Sequence, residues 1–492
     1  MTHYDYDVGI LGGGAAGLTA AAGAAQFGAK TLLVEKAETL GGDCLHYGCV
    51  PSKTLIRTAR LWAQARRSAD FGLPALSLPP VDLRRVMNRV RSVIAKIQEH
   101  DSTERFCSLG AEVRFGLPRF VDNHSIDVDG QIISARNWII ATGSRPTLPP
   151  VQGLADMPYW TNETVFSQEN LPARLLVLGG GPIGLEMAQA FARLGSDVTV
   201  VEFMDQILGP EDEDVARIIE NRLVHEGVTI MKGTKAVNAS VEGGGHIRLT
   251  VAAVKNDEEK TILSGDAILV AAGRAPNTEG LGLKAAGVEY TKKGIPTDQR
   301  LRTNQKHIFA CGDVNGRLPF THVAGYEGGI ALTNAVLRVP RTIDYTKAGW
   351  CTYTDPEVAS IGYNEKRAVQ DGIEYRLFEE SFADNDRALA EAAPEGKIKL
   401  LVSPKGKILG CQIVGSHAGE LIHEWVISYA GGLKLSTLAG AVHVYPTLAE
   451  ISRKVAGDVF SEKIFSERTR IILRFLFNLK GRACRPETEE TD

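Results

Sequence analysis

Residues 6–35 read YDVGILGGGAAGLTAAAGAAQFGAKTLLVE, a strand–turn–helix–strand pattern. An apolar strand-like segment, YDVGIL, runs into a glycine turn. An alanine-rich helix-like run follows, and then a second strand-like segment, TLLVE. Gly12, Gly14 and Gly17 give the spacing G-x-G-x-x-G at the point where strand passes into helix. Glu35 closes the second strand, where an acid can bind a ribose hydroxyl. A glycine turn in that setting reads as a dinucleotide site rather than a tight turn with no ligand.

The unit recurs at residues 175–203, LLVLGGGPIGLEMAQAFARLGSDVTVVEF, with Gly179, Gly181 and Gly184 as the glycines and Glu202 as the acid. Two sites imply two dinucleotides, their pyrophosphates held by backbone amides and helix N-termini. The simplest use of both is hydride transfer from a nicotinamide to a flavin. Glu202 would hydrogen-bond the free 2′-hydroxyl of NADH and repel the 2′-phosphate of NADPH. Phe203 and Met204 offer no arginine in compensation, so NAD is expected and NADP is the alternative.

At 492 residues, the chain is long enough for about three domains. With 44% hydrophobic and 23% charged residues it has ordinary globular composition, and a net charge of −4 gives no footprint for nucleic acid. No apolar run reaches membrane-span length, and the N-terminus enters a strand-like segment within a few residues, so a cytoplasmic location is expected. The seven cysteines are mostly isolated. In cytosolic usage of that kind a close pair is catalytic more often than architectural.

Such a pair stands in GGDCLHYGCVPSK, residues 41–53, where Cys44 and Cys49 are separated by four residues. Pro51 suits the first turn of a helix, and SKTLIRTARLWAQA is rich in helix formers. Cys49 is therefore expected near a helix N-terminus, whose dipole favours a thiolate. The segment reads as a redox-active pair that closes a small, reducible ring.

Taken in order, first fingerprint, C-x4-C pair and second fingerprint, the chain resembles the flavoprotein disulfide reductases, which include dihydrolipoamide dehydrogenase, glutathione reductase and mercuric reductase. Further matches are ATG at Ala141 to Gly143, AAGRAPN at Ala271 to Asn277, TNQKHIFACGDV ending at Asp313 and Val314, and PFTHVAGYEGG. The resemblance implies an α/β fold with two Rossmann-like domains, for FAD and NAD(P), and an α+β C-terminal dimerisation domain. It implies an FAD domain split into 1–148 and 275–344 around a nicotinamide domain of 149–274, then an interface domain of 345–467. Thr142, Gly143, Asp313, Thr321, His322, Gly273 and Arg274 are thereby assigned to the cofactor sites, Asp313 to the flavin ribityl chain. Family members are homodimers whose interface domain completes the other subunit's active site, and a homodimer is expected here.

By the same resemblance, Cys49 faces the flavin and Cys44 exchanges with substrate. Lys53 lies one helical turn beyond Cys49, and the family pairs it with a glutamate matching Glu186. The departure is AGAVHVYPTLAEISR, residues 439–453. Dihydrolipoamide dehydrogenases carry H-x-H-P-T-x-x-E, in which the second histidine, oriented by the glutamate, is the acid–base partner. Here His443 is the first histidine and Glu450 the glutamate, but Tyr445 stands in the catalytic place. Tyrosine, with an ordinary pKa of about 10, is a poor base at neutral pH. His443 could serve instead, although packing or hydrogen bonding at the interface is the more ordinary fate of a lone histidine. Mercuric reductases also lack the catalytic histidine, but they use a further C-terminal cysteine pair where this chain has Cys484 alone.

The expected activity is electron transfer from NADH through FAD to the Cys44–Cys49 disulfide and on to a thiol or disulfide substrate. A mercuric or other metal-ion reductase and a quinone diaphorase are the alternatives. Residues 468–492 form an extension with five basic residues and no acid from Arg468 to Arg482, interleaved with apolar side chains, before an acidic tip, PETEETD, expected to be disordered. A helix packed on the dimer with its arginines outward is the favoured reading of 468–482. Weak contact with an anionic membrane surface is the other.

Overall fold

The computed structural model describes residues 3–481 and 483. Arg482, Cys484 and the acidic tip lie outside the described residues. The chain divides into two compact units, Met1–Asp355 and Pro356–Asp492.

In the first unit the opening stretch forms strand Tyr6–Leu11, helix Ala15–Gln26 and strand Thr31–Glu35. The two strands pair in parallel, Val8 opposite Thr31 and Leu11 opposite Val34. Thr31–Glu35 also pairs in parallel with Ala111–Phe115, and Tyr6–Leu11 with Gln131–Ile140. The last strand, Ile308–Ala310, pairs in parallel with the end of Gln131–Ile140. A segment more than 160 residues later in the sequence thus completes the first sheet.

The intervening chain builds its own parallel sheet, ordered Thr229–Met231, Asp197–Val201, Arg174–Leu178 and Ala267–Val270. Three antiparallel strands, Thr234–Val241, Ile247–Ala253 and Asn256–Gly265, accompany it. Where the chain leaves the first sheet and where it returns, Ser144–Pro146 and Arg274–Pro276 pair antiparallel. The pairing holds the two crossing segments side by side.

Small residues let helices Ala15–Gln26 and Thr321–Leu332 approach. Ala20, Ala21 and Ala24 of Ala15–Gln26 are buried in one core with Ile330, Ala331 and Leu332 of helix Thr321–Leu332. A Cβ on Gly328 would fall on the Ala16 carbonyl oxygen, so nothing larger than glycine fits there. In the other parallel sheet, Leu176, Leu178, Ile268 and Val270 are buried with Leu249 and Val251 of the antiparallel strands.

The second unit has an antiparallel sheet ordered Glu357–Gly362, Ile408–Gly415, Lys397–Val402 and Arg376–Ser381. The hairpin read from GKIKLLVSPKGKILGCQIVG is its centre. Helices Ala418–Gly431 and Glu450–Ile464 belong to the same unit, tied where the fully buried Trp425 indole N–H donates to Ser452 Oγ at 3.0 Å.

Candidate active site

The two glycine turns show the same construction. A Cβ on Gly17 would fall on the Gly12 carbonyl oxygen, and one on Gly184 would fall on that of Gly179. Close approach of helix and turn explains those glycines. Gly14 and Gly181 are different: both are extended, at φ −89° and −81°, a backbone that any residue adopts. An added Cβ on Gly181 meets nothing within 4 Å, and one on Gly14 meets only Gly42 Cα at 3.8 Å. Each precedes a helix that has no side-chain cap on its first amides. The chain itself gives no reason for glycine at these two positions, whereas a pyrophosphate drawn against bare amides does.

The acids confirm the repeat. Glu35 Oε2 accepts from Gly13 N at 2.5 Å and its Oε1 from Ala37 N at 2.8 Å. Glu202 does the same with Gly180 N at 2.5 Å and Met204 N at 2.7 Å. Each carboxylate thus fixes its glycine turn while keeping lone pairs for a ribose. A cleft of about 360 Å³ opens on the second turn, lined by Gly179, Gly181, Glu202, Gly273 and Arg274 among others.

The crossing strands and the residues flanking them bring Thr142, Gly143, Arg274 and Asp313 together. Thr142 Oγ1 donates to the Asn277 carbonyl at 2.8 Å, Asn277 Nδ2 returns a bond to the Thr142 carbonyl at 2.9 Å, and Asn277 N donates to the Gly143 carbonyl. Ser144 Oγ donates to Asp313 Oδ2 at 2.5 Å and receives Arg274 Nε at 2.8 Å. Burial pushes the Asp313 carboxyl above its usual range, with Ser144 and Arg274 opposing. Glu327, buried in helix Thr321–Leu332, accepts from Gly312 N, Asn315 Nδ2 and the Tyr345 hydroxyl at 2.5, 2.7 and 2.6 Å. It clamps the turn that presents Asp313. His322 points elsewhere, its Nε2 2.7 Å from the Gly349 carbonyl oxygen and its ring stacked on Phe320.

Cys44 lies in helix Gly42–His46, and Cys49 begins helix Cys49–Arg66. Both are free thiols here, Cys44 partly buried and Cys49 exposed. Cys49 Sγ is 3.3 Å from Thr321 Oγ1. The Cys49 thiol is brought down to about 6, chiefly by the hydrogen bond from Cys44 and then by Thr321 and the Lys53 charge, while desolvation and Glu186 oppose. Cys44 is pushed far above the usual thiol range because it donates to its neighbour and is partly buried. The pair is therefore asymmetric: Cys49 carries the negative charge and Cys44 the proton.

Lys53 Nζ and Glu186 Oε2 form an ion pair at 2.7 Å. Tyr353 N donates to the other Glu186 oxygen at 2.8 Å, and the Tyr353 ring lies under the ammonium at 4.4 Å. On the Cys44 side, Asp43 Oδ1 accepts from Asn162 Nδ2 at 2.9 Å and pairs with Arg274 at 3.2 Å. Arg274 thus touches both the cleft at the second glycine turn and the cysteine loop.

His443, Tyr445 and Glu450 belong to the second unit. His443 Nε2 is 2.7 Å from Glu424 Oε1. The exposed Tyr445 donates its hydroxyl hydrogen to Asp386 Oδ2 at 2.9 Å, and Asp386 holds the phenol above its ordinary pKa. Tyr445, Asp386 and Glu450 line a small hollow of about 110 Å³.

Residues 6–328 match the family described as pyridine nucleotide-disulphide oxidoreductase, and residues 349–456 match its dimerisation domain. The chain belongs to this family. Its members use FAD and NAD(P)H. A mercuric reductase of Lysinibacillus sphaericus is 33% identical over 94% of this chain and 84% of its own length. A dihydrolipoyl dehydrogenase of Geobacillus stearothermophilus is 36% identical over 91% and 94%. Among solved structures, the Cu(II) complex of the HOCl-induced flavoprotein disulfide reductase RclA from Escherichia coli superposes with a TM-score of 0.82 at 26% identity, over 93% of this chain and all of that one. The chain is a flavin-dependent pyridine nucleotide-disulfide oxidoreductase.

Sequence reasoning did not single out Asp43, Ser144, Asn162, Glu327 or Tyr353. Glu327 alone carried a usable signal, an acid inside the small, apolar helix run VAGYEGGIAL. Thr321 was assigned to a cofactor site, and the structure places its hydroxyl on the Cys49 sulfur.

Proposed function

We propose that this enzyme works as a reductase, drawing electrons from NADH and passing them through Cys44 and Cys49 to a disulfide-bearing acceptor. The observation that carries the reading is the asymmetry of the pair. FAD, which Gly12, Gly14, Gly17, Glu35 and Asp313 would hold, would supply the two-electron link between NADH and the cysteine disulfide. The S–S bond breaks, leaving charge on Cys49 and a protonated Cys44. Thr321 and Lys53 hold that charge, and Glu186 orients Lys53. Cys44, once it yields its proton, attacks the acceptor disulfide and forms a mixed disulfide, and one half of the acceptor leaves as a thiol. Cys49 then attacks Cys44, the ring closes, and the second half leaves.

Oxidation of a dithiol, the reverse direction, needs a base for the substrate's protons. In a homodimer, Tyr445 and Glu450 would face the other subunit's pair. Tyr445 cannot take a proton while it holds its own against Asp386, and His443 is engaged by Glu424. Both features favour the reducing direction in a cytoplasmic enzyme.

A second reading, reduction of a metal ion held by the cysteine sulfurs, is favoured by the same tyrosine. It agrees with the named activity of the mercuric reductase relative and with the Cu(II) in the RclA complex. Turnover of the FAD-loaded enzyme with dihydrolipoamide, lipoamide, oxidised glutathione, Hg(II) and a quinone, with NADH and NADPH in separate assays, tests both. Fast lipoamide or glutathione reduction with slow dihydrolipoamide oxidation supports the first reading, and Hg(II) as the best acceptor supports the second. Fast dihydrolipoamide oxidation overturns the assigned direction.

A further inference from the structure

Helix Glu467–Phe477, ERTRIILRFLF, lies beyond the dimerisation-domain match. Its start is well defined, with Ser466 Oγ accepting from Thr469 N at 3.2 Å, and it ends at Asn478 in the left-handed region. No residue of the helix is buried, and every residue from Arg470 to Gly481 is exposed. Phe475 is 87% exposed, and Leu476, Phe477 and Ile471 are each 58% exposed or more.

The distribution of these side chains matters more than their number. At about 100° per residue, Ile471, Phe475, Ile472, Leu476, Leu473 and Phe477 spread over an arc of roughly 240°. Glu467, Arg470 and Arg474 share the remaining 120° or so, while Arg468 and Thr469, both in the first turn, fall within the arc. A helix lying on a protein surface needs an apolar stripe a little over about 100° wide. Packing on a dimer, the favoured reading of the sequence, would therefore leave much of this arc in water. A lipid interface covers a helix from below and from both sides, and so suits an arc this broad.

The charges choose the kind of interface. Arg468, Arg470, Arg474 and Lys480 follow Glu467 with no acidic residue among them. Arg470 and Arg474, beside the arc, and Arg468, at the start of the helix, can lay their stems along the apolar surface and carry their guanidinium groups to phosphate level. The helix is about 16 Å long, against about 30 Å for a hydrocarbon core, so it can lie in the headgroup region but cannot cross. None of the described helices is long and apolar enough to cross a membrane.

We propose that Glu467–Phe477 docks this oxidoreductase on an anionic membrane surface, its apolar arc among the acyl chains and its arginines on lipid phosphates. The proposal is independent of the acceptor. It makes the enzyme peripheral to a bilayer, where electrons can be delivered to acceptors at the lipid face.

Flotation of the full-length, FAD-loaded enzyme with phosphatidylcholine vesicles, with and without phosphatidylglycerol, tests it. The enzyme is expected to rise with the anionic vesicles, to stay behind with the neutral ones, and to be released as salt is raised. Replacing R468Q, R470Q and R474Q together should weaken binding roughly a hundredfold, since each basic residue near an anionic surface contributes about a factor of five. Turnover with a water-soluble acceptor should be unchanged in that variant, which shows that it is folded. Equal binding to neutral and anionic vesicles, or undiminished flotation of the triple variant, overturns the proposal. So does failure of the intact enzyme to float, or loss of the dimer on deleting the helix without any vesicle binding, which would make it a subunit contact.

Discussion

The sulfur of Cys49 lies 3.3 Å from the hydroxyl of Thr321, the first residue of a helix that starts 272 positions further along the chain. The contact joins the N-termini of two helices around one thiol, because Cys49 itself opens helix Cys49–Arg66. Both helix ends favour negative charge. The hydroxyl adds a directed hydrogen bond, and Lys53 adds a full positive charge.

Thr321→Val should therefore raise the Cys49 pKa from about 6 by one unit or more, since a hydrogen bond to a charged group contributes about 1.5–3 kcal/mol. In the reduced enzyme the thiolate is present above its pKa and lost as pH falls through it. The pH profile of alkylation by iodoacetamide should show reaction beginning near pH 6 in the parent and at higher pH in the variant, with Thr321→Ser close to the parent. An unmoved profile would remove Thr321 from the account.

Lys53 and Glu186 act on the same thiol with opposite sign. Lys53→Met should raise the Cys49 pKa and Glu186→Gln should lower it. A purely structural ion pair would give shifts of one sign or none. The same alkylation profile reads both variants.

Glu327 accepts three donors on two oxygens. Glu327→Gln turns an amide toward at least one of them, and an unsatisfied buried donor costs about 1–3 kcal/mol. Thermal unfolding should come at a lower temperature, and the purified variant should retain less flavin because the turn carrying Asp313 loses its clamp. A variant with full flavin content and an unchanged melting temperature would contradict this.

Glu202 is the acid that would distinguish the two nicotinamide dinucleotides. Glu202→Ser should reduce the preference for NADH over NADPH about tenfold or more, as one charged hydrogen bond is lost and one repulsion relieved. The ratio of kcat/KM values for the two cofactors measures it directly. A ratio that does not change would place the specificity elsewhere in the cleft.

Tyr445→His should raise dihydrolipoamide oxidation by roughly a hundredfold or more, the usual gain from a positioned base. Tyr445→Phe should leave disulfide reduction within about twofold if the hydroxyl is not a base. Strong dihydrolipoamide oxidation in the unaltered enzyme would show that His443 or Tyr445 already suffices.

What the sequence disclosed depended on how local each feature is. The glycine turns, Glu35, Glu202 and the helix behind Cys49 each lie within one short run of residues, so spacing alone exposed them. Lys53 and Glu186 are 133 positions apart and were paired only through the family resemblance. Asp43 with Arg274 and Thr321 with Cys49 are meetings created by the interrupted first domain and its return. No periodicity marks a residue for such a meeting. His443 is a similar case: its partner Glu424 sits on a separate helix, and only the folded chain shows that the imidazole is already engaged.

The proposed function depends on electrons leaving through Cys44 and Cys49. It is tested most directly by NADH-dependent turnover of the FAD-loaded Cys44→Ser, Cys49→Ser double variant, with the best acceptor of the intact enzyme. That turnover should fall by at least about a thousandfold, as expected when a covalent nucleophile is removed, while bound flavin is still reduced by NADH. Full turnover in the double variant would contradict it and make the cysteine pair dispensable.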